Sequence, residues 1–276
     1  SFSPKAIFFN LGTVRRLQAA IRAIDKIFDD FKPDVIFATG GFASYPPVYR
    51  GSKRKIPTII HESNVLPGRT NRLLARYADR VLLGFEDAAK YFKDKEKLVF
   101  TGNPLREGVA FLKKDEAKKT LGIEGDLVYS VWGSLGARDM NKITAEIIAL
   151  ETKTGSTFRH IHSTGASSWK WMPELVKSLG ADLSANKNID MREYVYNAPT
   201  VLAAADLVLC RAGAMTVSEI CATGAPAIII PSPNVADNHQ YKNAKALSDR
   251  GAAVLLEEDE INAEMLFDLI KTLLAD

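Results

Sequence analysis

The residues best suited to chemistry cluster where short apolar runs give way to small side chains. Asp206-Leu-Val-Leu-Cys-Arg211 passes into Ala212-Gly213-Ala214-Met215-Thr216-Val217-Ser218-Glu219. This is a buried-strand pattern, then a small-residue turn, then a helix. Small residues let a ligand approach the backbone, and the free amides and positive dipole of a helix N-terminus suit a phosphate. Glu219, one turn into the helix, could accept hydrogen bonds from a ribose diol. The same residues also describe a plain strand–helix turn in which Glu219 favours the helix dipole. A second loop, Val131-Trp132-Gly133-Ser134-Leu135-Gly136-Ala137-Arg138, repeats the layout and could cradle phosphate. A third, Ala38-Thr39-Gly40-Gly41-Phe42-Ala43-Ser44, reads by itself as a turn. Three such loops at three strand ends argue for a ligand over coincidence.

Two polar segments accompany them. His61-Glu62-Ser63-Asn64 caps a strand and leads into Pro67-Gly68. If the strand continues, His61 and Glu62 point to opposite faces, so they do not imply a catalytic pair. Late in the chain, Asp237-Asn238-His239-Gln240 and Asn243 offer side chains that could read sugar hydroxyls. The competing reading is a polar cap on a surface helix. The four histidines have no metal-ligand spacing and no Asp-x-Asp pair is present, so no metal site is expected. Cys210 and Cys221 form no C-x-x-C pair and read as buried, reduced thiols.

The elements that must position these residues follow from the apolar pattern. Strands are expected over Val35–Thr39, Thr58–His61, Arg80–Gly84, Leu98–Thr101, Leu127–Val131, Phe158–His162, Asn188–Met191, Asp206–Arg211, Ala227–Ile230 and Ala253–Leu256. Helices are expected over Val14–Phe31, Arg69–Tyr77, Asn141–Leu150, Val217–Thr223 and Gln240–Arg250. Apolar strands alternating with amphipathic helices mean an α/β fold with parallel sheets covered on both faces. The boundary falls near Arg106 to Lys114, where a Gly-Asn-Pro turn ends one series and a Lys-rich helix precedes the next. This gives Rossmann-like domains over 1–108 and 109–276, facing each other across a cleft, with ligands at the carboxyl ends of the strands.

The chain has 276 residues, 46% hydrophobic and 25% charged, a globular composition. No apolar stretch approaches the ~20 residues of a spanning helix. The opening Ser-Phe-Ser-Pro-Lys lacks the regions of a secretory signal and has no initiating Met, which implies residues upstream. Charge is uneven: residues 1–108 hold 19 Lys+Arg against 11 Asp+Glu, and residues 109–276 hold 17 against 22. A basic first half suits anionic lipid or phosphate, although ordinary surface variation gives the same count. Ile7, Phe8, Phe9, Leu11 and Val14 beside Lys5, Arg15 and Arg16 would make an apolar face edged by positive charge, as a membrane surface requires. A helix packed under further strands is the alternative. No nucleic-acid partner is expected.

Taken in order, these segments resemble the MurG family, GT-B enzymes of glycosyltransferase family 28. The resemblance rests on Lys32-Pro-Asp-Val, Thr39-Gly-Gly-Phe, His61-Glu-Ser-Asn, Gly102-Asn-Pro-Leu-Arg106, Gly133-Ser-Leu-Gly-Ala-Arg138, Arg211-Ala-Gly-Ala-Met-Thr-Val-Ser-Glu219 and Asn238-His-Gln. It runs over essentially the whole chain. It implies inverting, metal-independent transfer of N-acetylglucosamine from UDP-N-acetylglucosamine to lipid I, an undecaprenyl-pyrophosphoryl-MurNAc-pentapeptide, giving lipid II for peptidoglycan. It further implies a peripheral enzyme on the cytoplasmic face of the bacterial membrane, docked on anionic lipid. On the donor side, Glu219 would hold the ribose and the Val195 backbone the uracil. Arg106, Ser134, Ala214, Met215 and Thr216 would contact the diphosphate, and Gln240, His239 and Asn243 the sugar. Gly40, Gly41 and Asn64 would border the acceptor.

The sequence departs from the family in four ways. The family's first glycine-rich loop, whose histidine is often assigned as general base, would lie upstream of Ser1, so the base is unassigned. Asp276 comes before the family's closing helices. On these grounds the chain as given is expected to bind UDP without transferring the sugar. Trp132 replaces the usual first glycine of the phosphate loop, and its indole is expected to hinder the diphosphate. Tyr45 stands where many relatives have glycine. Other readings are a different UDP-sugar enzyme of this fold, such as an epimerase or a glycolipid synthase, or a non-catalytic nucleotide- or lipid-binding protein.

Overall fold

The computed structural model describes residues 4–106, 108–133 and 136–275, with side chains from residue 12 onward except that of Ala110. Two compact units divide it, Ser1–Asn103 and Pro104–Asp276. All ten expected strands form, with each end within one residue of the apolar run that specifies it.

In the first unit the order is α1 (Pro4–Phe31), β1 (Ile36–Ala38), α2 (Tyr45–Lys53), β2 (Thr58–Glu62), α3 (Arg69–Leu74), β3 (Arg80–Leu83) and β4 (Leu98–Phe100). The strands pair in parallel in the order β1-β2-β3-β4, with Phe37 beside Ile59 and His61 beside Leu82. Val48, Ile60, Leu74 and Val81 have no exposed surface and form the centre of the core. Arg50 on α2 and Arg54 at its C-cap each reach Asp25 on α1 at 2.8 Å. The Arg50 hydrogen bond leads the effects that hold the Asp25 carboxyl below its usual range. The apolar cluster expected at residues 7–11 falls on α1, but its side chains lie outside the described residues; Val14 is half exposed.

The second unit begins with α4 (Lys114–Leu121), β5 (Leu127–Val131), α5 (Arg138–Thr154), β6 (Arg159–Ser163), α6 (Ala166–Trp169), α7 (Met172–Ser178) and β7 (Ile189–Arg192). It continues through α8 (Ala198–Ala204), β8 (Leu207–Cys210), α9 (Ala214–Thr223), β9 (Ala227–Ile229), α10 (His239–Ser248), β10 (Val254–Leu255) and α11 (Ala263–Ala275). Its sheet is parallel throughout, ordered β10-β9-β8-β5-β6-β7. The chain winds from β5 out to β7, then returns to the other side of β5 with β8. That reversal leaves a crevice beyond the carboxyl ends of β5 and β8, where open α/β sheets bind ligands.

Two expectations need correcting here. The Trp132 indole does not stand beside the phosphate turn. It is 3% exposed, packs with Met140, Ile147 and Leu266, and donates from Nε1 to Thr144 Oγ1 at 2.9 Å. Burying a large aromatic whose N–H finds an acceptor outweighs leaving it at the surface. Cys210 is buried as expected, but Cys221 is exposed.

Candidate functional site

The turn after β8 makes the mouth of the crevice. Gly213 caps α9, so Ala214, Met215 and Thr216 are its first three residues, and Val217 N is bonded to Gly213 O at 2.9 Å. The amides of those three residues have no acceptor within the helix and point outward with the positive end of its dipole. The turn is held from behind. Asn243, with no exposed surface, donates from Nδ2 to Ala212 O at 3.1 Å. Arg211 donates from Nη1 to Ile230 O and Pro231 O at 3.1 Å each and pairs through Nη2 with Glu258 at 2.6 Å.

A pocket opens under this mouth, lined by Arg106, Tyr129, Tyr194, Val195, Thr216 and Glu219 among others. Glu219 is largely buried, and burial pushes its carboxyl up, against the opposing effect of Arg106. Arg106 is half exposed, and its Nε lies 3.2 Å from Glu219 Oε1. Four residues expected at the nucleotide, Arg106, Val195, Thr216 and Glu219, therefore line one pocket, with Ala214 and Met215 at its helix mouth. Sequence reasoning missed Tyr129 and Tyr194. The signal for Tyr129 was a phenol in a strand run whose only other non-aliphatic residue is Ser130; burial pushes its hydroxyl up.

Of the residues expected at the sugar, Gln240 accepts from Ser232 N at 2.8 Å through Oε1. His239 opens α10 with Nδ1 2.9 Å from Ala236 O, and Asn243 is committed to the Ala212 carbonyl. On the other side of the switch point, the β5–α5 turn closes with Gly136 N donating to Gly133 O at 3.0 Å. Gly136 has φ of +75°, and a Cβ there would lie 2.3 Å from Thr164 O, so only glycine fits. Ser134, expected at the diphosphate, lies outside the described residues.

In the first unit a carboxylate organises the loops around Gly40, Gly41 and Asn64. Glu62, 3% exposed, accepts from Asn64 N at 2.9 Å through Oε1. Its Oε2 accepts from Gly68 N at 3.0 Å and Asn71 Nδ2 at 2.8 Å. Asn71 in turn sits against Gly40, where a Cβ would stand 3.1 Å from its amide. Glu62 and Asn71 thus tie Asn64 to Gly40, two of the three residues expected at the acceptor, a role the strand pattern did not suggest. Tyr45 stacks on Tyr49 at 5.8 Å and meets Tyr77 edge-on at 6.5 Å.

The second unit therefore presents helix amides and a guanidinium for a diphosphate, with a carboxylate deeper in for a diol. Amide and guanidinium N–H groups can donate to phosphate oxygens, and a carboxylate can accept from hydroxyls. Among the described residues no group of three His, Cys, Asp or Glu side chains could hold a metal ion. No helix among them is long and apolar enough to cross a membrane.

The glycosyltransferase family 28 C-terminal domain model matches residues 127–276, and the N-terminal domain model matches residues 2–83. A protein of Acetivibrio thermocellus is 42% identical over all of this chain and 73% of its own length. One of Caldanaerobacter subterraneus subsp. tengcongensis is 40% identical, covering all of this chain and 75% of its own length. Both are named UDP-N-acetylglucosamine--N-acetylmuramyl-(pentapeptide) pyrophosphoryl-undecaprenol N-acetylglucosamine transferase. Among solved structures, MurG of Acinetobacter baumannii superposes with a TM-score of 0.72 at 27% identity, over 94% of this chain and 71% of that one. The UDP-GlcNAc 2-epimerase of Methanocaldococcus jannaschii, bound to UDP-GlcNAc and UDP, shares the fold at 17% identity with a TM-score of 0.60, over 94% of this chain and 74% of that one.

Proposed function

The chain belongs to glycosyltransferase family 28, with an α/β GT-B fold, and from that premise we propose that it moves N-acetylglucosamine from UDP-N-acetylglucosamine to lipid I, forming lipid II. The observation that carries the reading is the convergence of Arg106, Thr216 and Glu219 on one pocket at the mouth of α9. Glu219 accepts hydrogen bonds from the ribose hydroxyls, and the Val195 backbone meets the uracil. The amides of Ala214, Met215 and Thr216 and the Arg106 guanidinium receive the diphosphate.

As the glycosidic bond forms, the bond from the sugar to the β-phosphate oxygen breaks, and UDP leaves with added negative charge. Fixed amides and a cation stabilise that charge without reorganising, and they do so more strongly in the leaving group than in the substrate. A divalent cation is not required. The acceptor approaches by Gly40, Gly41 and Asn64, and attack opposite the leaving group inverts the anomeric centre. A peripheral position on the cytoplasmic face of the membrane brings the lipid-linked acceptor within reach.

Calorimetric titration with UDP, with and without EDTA, tests the donor half. Equal binding in both supports the reading, and binding only with added divalent metal overturns its electrostatics. Transfer of labelled N-acetylglucosamine to a lipid I analogue tests the whole. A chain that binds UDP but hands the sugar to a different acceptor would refute the assignment of lipid I.

A further inference from the structure

Beneath the second-unit pocket lies a chain of hydrogen bonds that the proposed chemistry does not use. His160 and His162 project inward from β6, and Ser130 projects inward from β5 beside them. None of the three is more than 1% exposed. Ser130 Oγ lies 2.7 Å from His160 Nε2 and 2.6 Å from His162 Nδ1. At the outer ends, His160 Nδ1 is 2.8 Å from Glu151 Oε1, and His162 Nε2 is 3.1 Å from Asn141 Oδ1. Glu151, His160 and Ser130 have the spacing of a catalytic triad, but all are sealed from solvent, so no substrate could reach them.

The direction of the chain is fixed from one end. Thr164 O can only accept, so Asn141 presents Nδ2 to it, at 2.8 Å, and Oδ1 to His162. His162 therefore carries its proton on Nε2, and its Nδ1 accepts from the Ser130 hydroxyl. The Ser130 oxygen then accepts from His160 Nε2, and one further proton lies between His160 Nδ1 and Glu151 Oε1, since otherwise two acceptors would face each other there. Burial, with His160 adding to it, pushes His162 down to about 3, so the ring is neutral across the working range.

Asn141 and Glu151 both belong to α5, Asn141 in its first turns and Glu151 near its end. One helix is thus gripped twice by the same Ser–His–His bridge. Between these two grips Thr144 accepts from Trp132 Nε1 at 2.9 Å, and the rest of the buried contact is apolar, including Met140, Ile147 and Ile148. Apolar surfaces can slide against each other at small cost, whereas hydrogen bonds of fixed direction cannot. The helix start matters because the Gly133–Gly136 turn leads directly into it, and Gly136 rests on the same Thr164 carbonyl that Asn141 holds.

The geometry points to Ser130 as a positioning residue for the donor site: its hydroxyl orients His162 and His160 so that α5, Gly136 ahead of it and the pocket-lining Gly133 stand where the diphosphate needs them. This inference rests on the proposed nucleotide site. Ser130 touches no ligand and acts through Asn141 and Thr164.

The test is UDP calorimetry on the full chain, with Ser130→Ala and the near-isosteric Ser130→Cys, well below their unfolding temperatures. Both should bind UDP roughly 10- to 100-fold more weakly, as misplacement by an ångström or less can cost that much. Ile148→Val, which loosens α5 packing without touching a hydrogen bond, is the control for simple destabilisation. It should bind as the parent does. Histidine 15N–1H spectra should show the Nε2–H form of His162 in the parent and a changed His162 signal in Ser130→Ala. Undiminished UDP affinity in a folded Ser130 variant overturns the positioning role and leaves the nucleotide site intact. So does an equal loss in Ile148→Val. A parent chain that binds no UDP would bring down the nucleotide site and this inference with it.

Discussion

Arg106 Nε stands 3.2 Å from Glu219 Oε1, so the cation assigned to the diphosphate and the carboxylate assigned to the ribose hold each other. Binding UDP exchanges this pair for two contacts with the ligand. Glu219 is the more buried partner, and its loss leaves the ribose hydroxyls facing an apolar pocket. We expect Glu219→Ala to weaken UDP binding by ~1.5–3 kcal/mol, the usual worth of a hydrogen bond to a charged group. Calorimetry on the folded variant checks it; unchanged affinity would remove Glu219 from the nucleotide.

Trp132 is a core residue, and its substitution should be felt as one. Trp132→Gly removes an indole packed among Met140, Ile147 and Leu266 and leaves buried Thr144 Oγ1 without the donor it accepts from. The expected cost is about 3–5 kcal/mol in denaturant unfolding, as for other large-to-small aromatic changes. UDP affinity should not rise. A tighter-binding, equally stable variant would return the indole to the phosphate turn.

Stability should decline with acidity because of His162. Its folded pKa is pushed from 6.5 down to about 3, first by burial and then by His160. Above pH 6.5 the ring is neutral in both states and contributes no pH dependence. Between pH 6.5 and 3 the unfolded chain binds a proton that the folded chain refuses, so stability falls as pH falls. The loss is about 1.4 kcal/mol per pH unit at its steepest, or about 2 kcal/mol between pH 7.5 and 5. The groups facing His162 are Ser130, Asn141 and His160, with Glu151 beyond. Urea midpoints at the two pH values, for the parent and His162→Gln, decide the matter. A variant with the parent's full pH slope would sink the assignment.

Glu62 accepts four N–H groups in a buried site, from Asn64 N and Nδ2, Gly68 N and Asn71 Nδ2, and an amide cannot do the same. In Glu62→Gln one of the two carboxylate oxygens becomes a donor facing donors at Gly68 N and Asn71 Nδ2, or at Asn64 N if the amide flips. We expect a loss of roughly 1–3 kcal/mol in stability, the cost of buried polar groups left unpaired. Hydrogen exchange at the Asn64 and Gly68 amides should rise in step. Thermal unfolding and exchange like the parent's would show that the carboxylate is not the organising group.

Much of this protein was legible along the chain. A parallel strand buried on both faces must be apolar at nearly every position, so the runs at 127–131 and 207–210 announced β5 and β8 from composition alone. The small residues of 212–216 announced a helix mouth, since a ligand-facing turn has little room for side chains. The ordered set of such turns was specific enough to indicate the family.

Other features depend on where separate segments meet. Trp132 follows a strand, and nothing local says whether its ring turns toward the crevice or toward α5; packing against Met140 and Leu266 decided it. Asn243 looked like a sugar contact on a polar helix face, until the approach of α10 to β8 buried it against Ala212 O. Glu62 and Asn71 each looked ordinary, and their joint grip on Asn64 and Gly40 exists only once α3 folds back on β2. Ser130 lies 30 and 32 residues before His160 and His162, and strand pairing alone puts their side chains together. Apolar periodicity is a local property, written residue by residue, so the sequence determined the elements and the glycine-bearing turns between them. A buried polar group must find its partner wherever the chain happens to bring one, and that only the tertiary structure decided.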